Sequence, residues 1–227
     1  MLANGQDIAP HQAMSISEAS VATGVSSRWI NRLIEDEILP KSVCLKNGKT
    51  HALRAYSMPM TVFCAKDRSV FDKRMRNEVM RLAGNFAKEN WRQLLDDPEQ
   101  AKNLRFAAGR VAFALGKHVR EAMIGLNRLI DARNRVVEDP DMLGGIPTIR
   151  GKRISVYQIA GLRENEEIDT ILEHYPSLSR EDVEAAALYA KAYPIPPRRR
   201  LTDRQRANAY PGARLISKTV MKLPTRA

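Results

Sequence analysis

Ser27, Arg28, Asn31 and Arg32 recur at the spacing that gathers side chains on one side of a helix. Their types suit base edges in a DNA major groove, because an Arg can bridge guanine O6 and N7 while an Asn can bridge adenine N6 and N7. Lys46 and Lys49 flank Asn47-Gly48, the dipeptide favoured in two-residue hairpin turns, and as point charges they suit phosphates. A further set, Arg198, Arg199, Arg200, Arg204 and Arg206, follows Pro194, Pro196 and Pro197, which stop a helix and favour extended backbone. Such guanidinium groups form bidentate pairs with carboxylates or with phosphates. Both recipients, an acidic protein site and DNA, stay open at this point.

Catalytic constellations are not apparent. His11, His51, His118 and His174 are scattered without HxH or HxxxH spacing, and Cys44 and Cys64 stand twenty residues apart with no CxxC, so they read as core thiols. Gly144-Gly145 lacks the GxxxxGK[ST] or GxGxxG context that wraps amides round phosphates and reads as a turn. The acids Glu35, Asp36 and Glu37, like Glu164, Glu166, Glu167 and Asp169, fall at helix ends or on solvated faces rather than in a metallonuclease site. The expectation is a protein with no catalytic residue, no metal site and no cofactor, and not an enzyme.

The elements that must position these groups follow from periodicity and caps. Ser15-Ile-Ser-Glu18 has capping-box spacing, Gly24 permits a sharp turn, and Ser26 can cap a second helix through Ile34 or beyond, a helix-turn-helix layout closed by Pro40. Val43 to Leu45 and Thr50 to Leu53 then form a hairpin wing. Phe71, Met75, Val79, Leu82 and Phe86 trace one face of a helix from about Ser69 to Leu94, Leu104 to Leu115 reads as a short hairpin around Ala108-Gly109, and a helix from Lys117 to about Val136 carries Val119, Met123, Leu126, Leu129 and Ile130. After Asp139-Pro140, three starts at Ser155, Asn165 and Ser179 predict a trihelical module whose core is Ile154, Val156, Ile159, Ile168, Leu172, Val183 and Leu188.

The fold class expected is therefore mainly α with minor β, divided as follows: a flexible arm over 1–14, a winged helix-turn-helix over 15–66, a helical linker region with a hairpin over 67–136, a trihelical module over 137–194, and a basic extended tail over 195–227. Of 227 residues, 37 are Lys or Arg and 26 Asp or Glu, a formal charge of +11. Seven Arg, two Lys and one Asp from Ile195 onward give the tail +8 of that total, so the body is nearly balanced. Blocks of like charge are interaction tails more often than structural ones. The longest apolar run, Met58 to Ala65, is too short to span a membrane, and the first ten residues lack a secretory pattern, which leads to the expectation of a cytoplasmic protein.

Gly145-Ile-Pro147-Thr-Ile149-Arg-Gly151-Lys-Arg153-Ile154-Ser-Val156, with Tyr175-Pro176-Ser-Leu178-Ser179-Arg-Glu181-Asp182-Val183 downstream, resembles the domain-of-unknown-function family 433 over Val137 to about Tyr193. Members resemble VapB-type antitoxins, encoded beside toxins that are often PIN-domain ribonucleases with an acidic, magnesium-binding active site. Ile16 to Leu39 is similar to the winged helix-turn-helix of MerR-type proteins. The resemblance implies a homodimeric antitoxin that binds operator DNA through its head and a PIN-domain toxin through its tail. The alternative is a stand-alone transcription regulator whose basic tail binds DNA.

Overall fold

Ser15 starts the first helix as its spacing predicts. The Ser15 hydroxyl accepts from the Glu18 amide at 3.2 Å, and Glu18 Oε2 accepts from the Ser15 amide at 2.7 Å, so two orphan donors are satisfied reciprocally. The helix, α1 (Ile16–Thr23), ends where Gly24 takes a φ of +68°, left-handed backbone that costs glycine nothing. The Thr23 hydroxyl donates to the Ala19 carbonyl and accepts from the Val25 amide, which pins the turn from inside. Ser26 then caps α2 (Ser27–Glu35) by accepting from the Trp29 amide.

Residues 7–48, 50–67, 72–108 and 111–195 are described by this computed structural model. The described fold is mainly α with minor β, as its sequence predicts. A three-stranded antiparallel sheet of order β1-β3-β2 joins β1 (Ala13–Ser15), β2 (Cys44–Asn47) and β3 (Thr50–Arg54). Its first strand lies in the stretch expected to be a flexible arm. Residues 7–14 are instead integrated: Ile8 and Met14 are fully buried, and the Trp91 indole N–H donates to the Ile8 carbonyl at 2.7 Å. The wing hairpin forms one residue out of the expected phase. Asn47 pairs with Thr50, so Gly48, with φ +59°, takes the first central turn position in place of Asn47.

A short 3-10 turn leads into α3 (Met58–Lys66), which starts with Pro59 in its first turn and buries every residue from Met58 to Cys64. A helix apolar all round belongs inside, and α3 forms the centre of the larger core. Around it lie α4 (Lys73–Glu89), α5 (Trp91–Asp96) and α6 (Gly116–Arg135). The single helix expected over 69–94 is thus two, separated at Asn90, and the Asp72 carboxylate caps the first by accepting from the Met75 amide at 2.8 Å. Its buried face is Val79, Met80, Ala83, Gly84 and Ala87, while Met75, Leu82 and Phe86 of the anticipated stripe are half-buried; Phe71 lies outside the described residues. The predicted hairpin is present as β4 (Arg105–Ala108) and β5 (Val111–Ala114), and the apolar face of α6 is the anticipated one.

Beyond α6, β6 (Val136–Val137) pairs with β7 (Thr148–Ile149), and three helices follow: α7 (Val156–Arg163), α8 (Ile168–His174) and α9 (Arg180–Ala192). Ser179 and Asp182 form a second complete capping box. The other two starts differ from expectation: Ser155 precedes α7 without a side-chain cap, and α8 begins after Glu167 rather than Asn165. A smaller core, from Ala132 and Val136 to Tyr189, fills the space between these elements, with Ile171 and Leu178 fully inside where Leu172, Ile154 and Leu188 are only half-buried. Since α6 contributes Leu126 and Ile130 to one core and Ala132 to the other, these cores share one helix. Every element named here belongs to a compact unit that ends at Pro194; a second unit begins at Ile195.

Candidate nucleic-acid interface

In α2, Ile30 and Leu33 are fully buried, which turns the opposite side of the helix outward. Arg28 and Arg32 are exposed there, one helical turn apart, and Asn31 beside them is half-buried. The Arg32 guanidinium lies 5.6 Å from the centre of the Trp29 ring and 3.4 Å from Asp36, contacts that hold its long side chain along the helix. Exposed acids follow: Glu35, Asp36 and Glu37. The first two turns are therefore the ones fit to approach a polyanion, in keeping with the rule that a recognition helix contacts bases with its N-terminal residues.

Ser27 is placed differently from its three companions. It is half-buried and lines a cleft of about 890 Å³ with Ser20 and Gly24 on one side and Arg163, Ala187 and Lys191 on the other. Lys46 is exposed on β2. Lys49 and the five tail arginines, Arg198, Arg199, Arg200, Arg204 and Arg206, lie outside the described residues.

The helix pair is held from behind by two features that sequence spacing does not reveal. A Cβ added at Gly125 of α6 would lie far inside contact distance of the Ala22 carbonyl, so the two helix backbones touch there and only glycine fits. Tyr193, just past α9, donates its hydroxyl to Glu18 Oε1 at 2.6 Å, while its own carbonyl accepts from the Tyr157 hydroxyl at 2.9 Å. Burial, reinforced by the Glu18 carboxylate, pushes the Tyr193 hydroxyl pKa far above its usual value, which keeps it a donor. The glutamate that caps α1 thus also anchors the end of α9.

Asp182 has a similar double duty. Its Oδ2 accepts from the Ser179 amide at 3.1 Å and from Lys152 Nζ at 2.5 Å, while Oδ1 accepts from Arg135 at 2.9 Å. Burial alone would raise its pKa, but Lys152, the Ser179 amide and Arg135 outweigh that and hold it below the ordinary carboxylate value. Arg135 ends α6, Lys152 follows β7 and Asp182 opens α9, so one carboxylate ties three elements together.

Residues 136–190 match the family described as protein of unknown function (DUF433). Along most of its length the chain is 32% identical, over 196 residues, to the uncharacterized protein y4eO of Sinorhizobium fredii (strain NBRC 101917 / NGR234), an alignment covering 84% of this chain and 86% of that protein. The chain belongs to the y4eO family. An alignment of that length cannot be confined to the DUF433 module, so the family relation takes in much of the N-terminal part as well. No solved structure matches the chain.

Within the DUF433 module, the glycine-rich run behaves as a scaffold. Gly144, Gly145 and Gly151 all have positive φ, and the Val156 amide donates to the Pro147 carbonyl, fastening the loop to the start of α7. Among the described residues, no group of three or more His, Cys, Asp or Glu is placed to hold a metal ion. Neither Cys44 nor Cys64 is in a disulfide; Cys64 is fully buried against Met80, and burial raises the pKa of Cys44, an environment that disfavours the reactive thiolate. No described helix is long and apolar enough to cross a membrane.

Proposed function

We propose that this protein is a DNA-binding antitoxin of the VapB type. In this reading a MerR-like winged helix-turn-helix binds the operator of its own operon and the basic tail neutralises a PIN-domain ribonuclease toxin in the cytoplasm. The observation that supports the DNA-binding half is the outward face of α2, where Arg28 and Arg32 are exposed beside a half-buried Asn31 on a helix pair braced by Gly125 and by the Tyr193–Glu18 bond. Lys46 on the adjoining hairpin supplies a phosphate contact, and Lys49 is assigned the same role from its sequence position. The antitoxin half rests on the DUF433 module together with the +8 tail, whose arginines suit the carboxylates that would otherwise hold magnesium. The protein acts as a homodimer without catalytic residue or cofactor. Binding by a symmetric dimer implies operator half-sites about one helical turn, or a multiple of it, apart.

Fluorescence anisotropy with the DNA upstream of the coding sequence tests the first half. Arg28→Ala and Arg32→Ala should each weaken binding by about 1–3 kcal/mol and relax sequence preference, whereas Lys46→Ala should weaken binding to all sequences alike and flatten the salt dependence. Unchanged affinity in the double arginine variant at fixed salt rejects α2 as the reading helix. Co-expression with the neighbouring gene product tests the second half. A chain truncated after Pro194 should keep operator binding and lose toxin neutralisation. The opposite result would support the second reading, a stand-alone regulator whose tail arginines grip DNA phosphates, which the same tail charge favours.

A further inference from the structure

A cleft of about 410 Å³ opens between the loop leaving α2 and the outer side of α4. Its floor is apolar and belongs to the core: Leu39, Tyr56, Met60 and Met80 are all buried. Its rim is cationic, with Lys41, Lys73, Arg81 and Lys88 set against one carboxylate, Glu37. Asn77 and Asn85 add amide groups from α4.

We propose that this cleft binds a small organic carboxylate with an apolar body, its tail on the Leu39–Met60–Met80 floor and its anionic head at the Lys88 ammonium. The volume lies in the range of roughly 300–1,000 Å³ usual for small-ligand sites, which combine apolar walls with a few polar groups. The two rim cations nearest to neutralisation are already engaged, Lys41 with Glu37 at 2.9 Å and Arg81 with Glu78 at 2.6 Å. Lys73, at the far end of α4, acts electrostatically on Glu37, whereas Lys88 is within salt-bridge distance of no carboxylate among the described residues. The Lys88 ammonium stands 5.0 Å from the centre of the Tyr56 ring, which stations a charge at the edge of the apolar floor. Glu37 has a φ of +51°, a left-handed conformation that is uncommon outside glycine and is tolerated where the surroundings dictate it, often at ligand clamps.

Charge and floor together select the ligand class. An inorganic anion would meet the lysines but leave the floor wet, and a neutral apolar molecule would fill the floor beside unpaired charges. A duplex could touch the rim but is too wide to enter. The occupant bridges α4 to the loop 37–43 that joins α2 to the wing, and its binding does not depend on any role for α2 in reading DNA.

Isothermal titration of the full chain with octanoate and with 3-phenylpropanoate, against octanamide and inorganic phosphate, tests the site. NMR of methyl-labelled methionine runs in parallel. At least one carboxylate should saturate a single site below about 5 mM, a weak but specific affinity, and shift the Met60 and Met80 methyl signals. Octanamide and phosphate should each bind at least tenfold more weakly. Lys88→Ala should weaken the carboxylate tenfold or more while leaving the circular dichroism spectrum unchanged, and Lys73→Ala, at the other end of α4, should leave the affinity within about twofold. No saturation by either carboxylate, equal binding of octanamide or phosphate, or undiminished binding to Lys88→Ala overturns the proposal.

Discussion

At the scale of single residues, two buried carboxylates each serve a helix cap and a long-range contact. Glu18 closes the α1 capping box and accepts from Tyr193, 175 positions away. Tyr193→Phe leaves one oxygen of a buried carboxylate without its donor, and a bond to a charged group is worth about 1.5–3 kcal/mol, so urea unfolding should show a loss of that order with an unchanged slope. Asp182 is held below its ordinary pKa, so the stability it contributes is present above its unfolded value near 3.9 and is lost as the pH falls through the folded value. Asp182→Asn should accordingly be less stable than the parent at pH 7, with the difference shrinking below about pH 4 in denaturant melts. The caps themselves were legible, since Ser15–Glu18 and Ser179–Asp182 show the three-residue spacing. The partners Tyr193, Lys152 and Arg135 were not, because no local pattern marks a contact made across 30 to 175 positions.

At the scale of elements, what decides the outcome is which side of a helix meets a neighbour. The apolar stripes read for α4 and α8 are each about one residue off the buried face, with Met80 and Ala83 inside instead of Leu82, and Ile171 inside instead of Leu172. Small residues explain the first shift: Ala83, Gly84 and Ala87 let α4 press close to α3, and Met60 lies where a Cβ on Gly84 would need to be. Hydrophobicity alone ranks Leu above Gly, so periodicity points to the wrong line. Lys73, Asn77, Arg81 and Asn85, at steps of four on the same helix, mark the side left to solvent and to the cleft. Glycines supply a paired test of helix contacts. Gly125→Ala should destabilise the protein by about 1–3 kcal/mol, the usual cost of overpacking, by prying α1 from α6. Gly161→Ala in α7, with nothing within 4 Å of the new Cβ, should stabilise by about 0.5–1 kcal/mol, and thermal melts of the two variants should move in opposite directions.

At the scale of the whole molecule, the modules suggested by composition share their walls. The larger core takes Ala192 from the far end of the unit, and the smaller takes Ala132 from α6. A fragment beginning at Glu138 would therefore lack β6, the Arg135 partner of Asp182 and the α6 surface against which α9 packs. Such a fragment should show no cooperative thermal transition by circular dichroism, while the chain ending at Pro194 should melt as one unit. Pro40 and Asp139-Pro140 were readable as breaks in the chain; the closing of the elements between them into shared cores was not, because each surface looks like an ordinary amphipathic helix until its distant partner is known.

The bond between Glu18 and Tyr193 also has a consequence for biosynthesis. Translation proceeds at roughly 5–20 residues per second, so the first helix leaves the ribosome about 9–35 s before the tyrosine that completes its support. Until residue 125 emerges the nascent chain carries the helix pair without the Gly125 contact behind it, and for the rest of that interval it still lacks the Tyr193 bond. Contacts so distant in sequence form late and slowly. A head with all of its supporting contacts would thus arise only on chains whose C-terminal module has already been made.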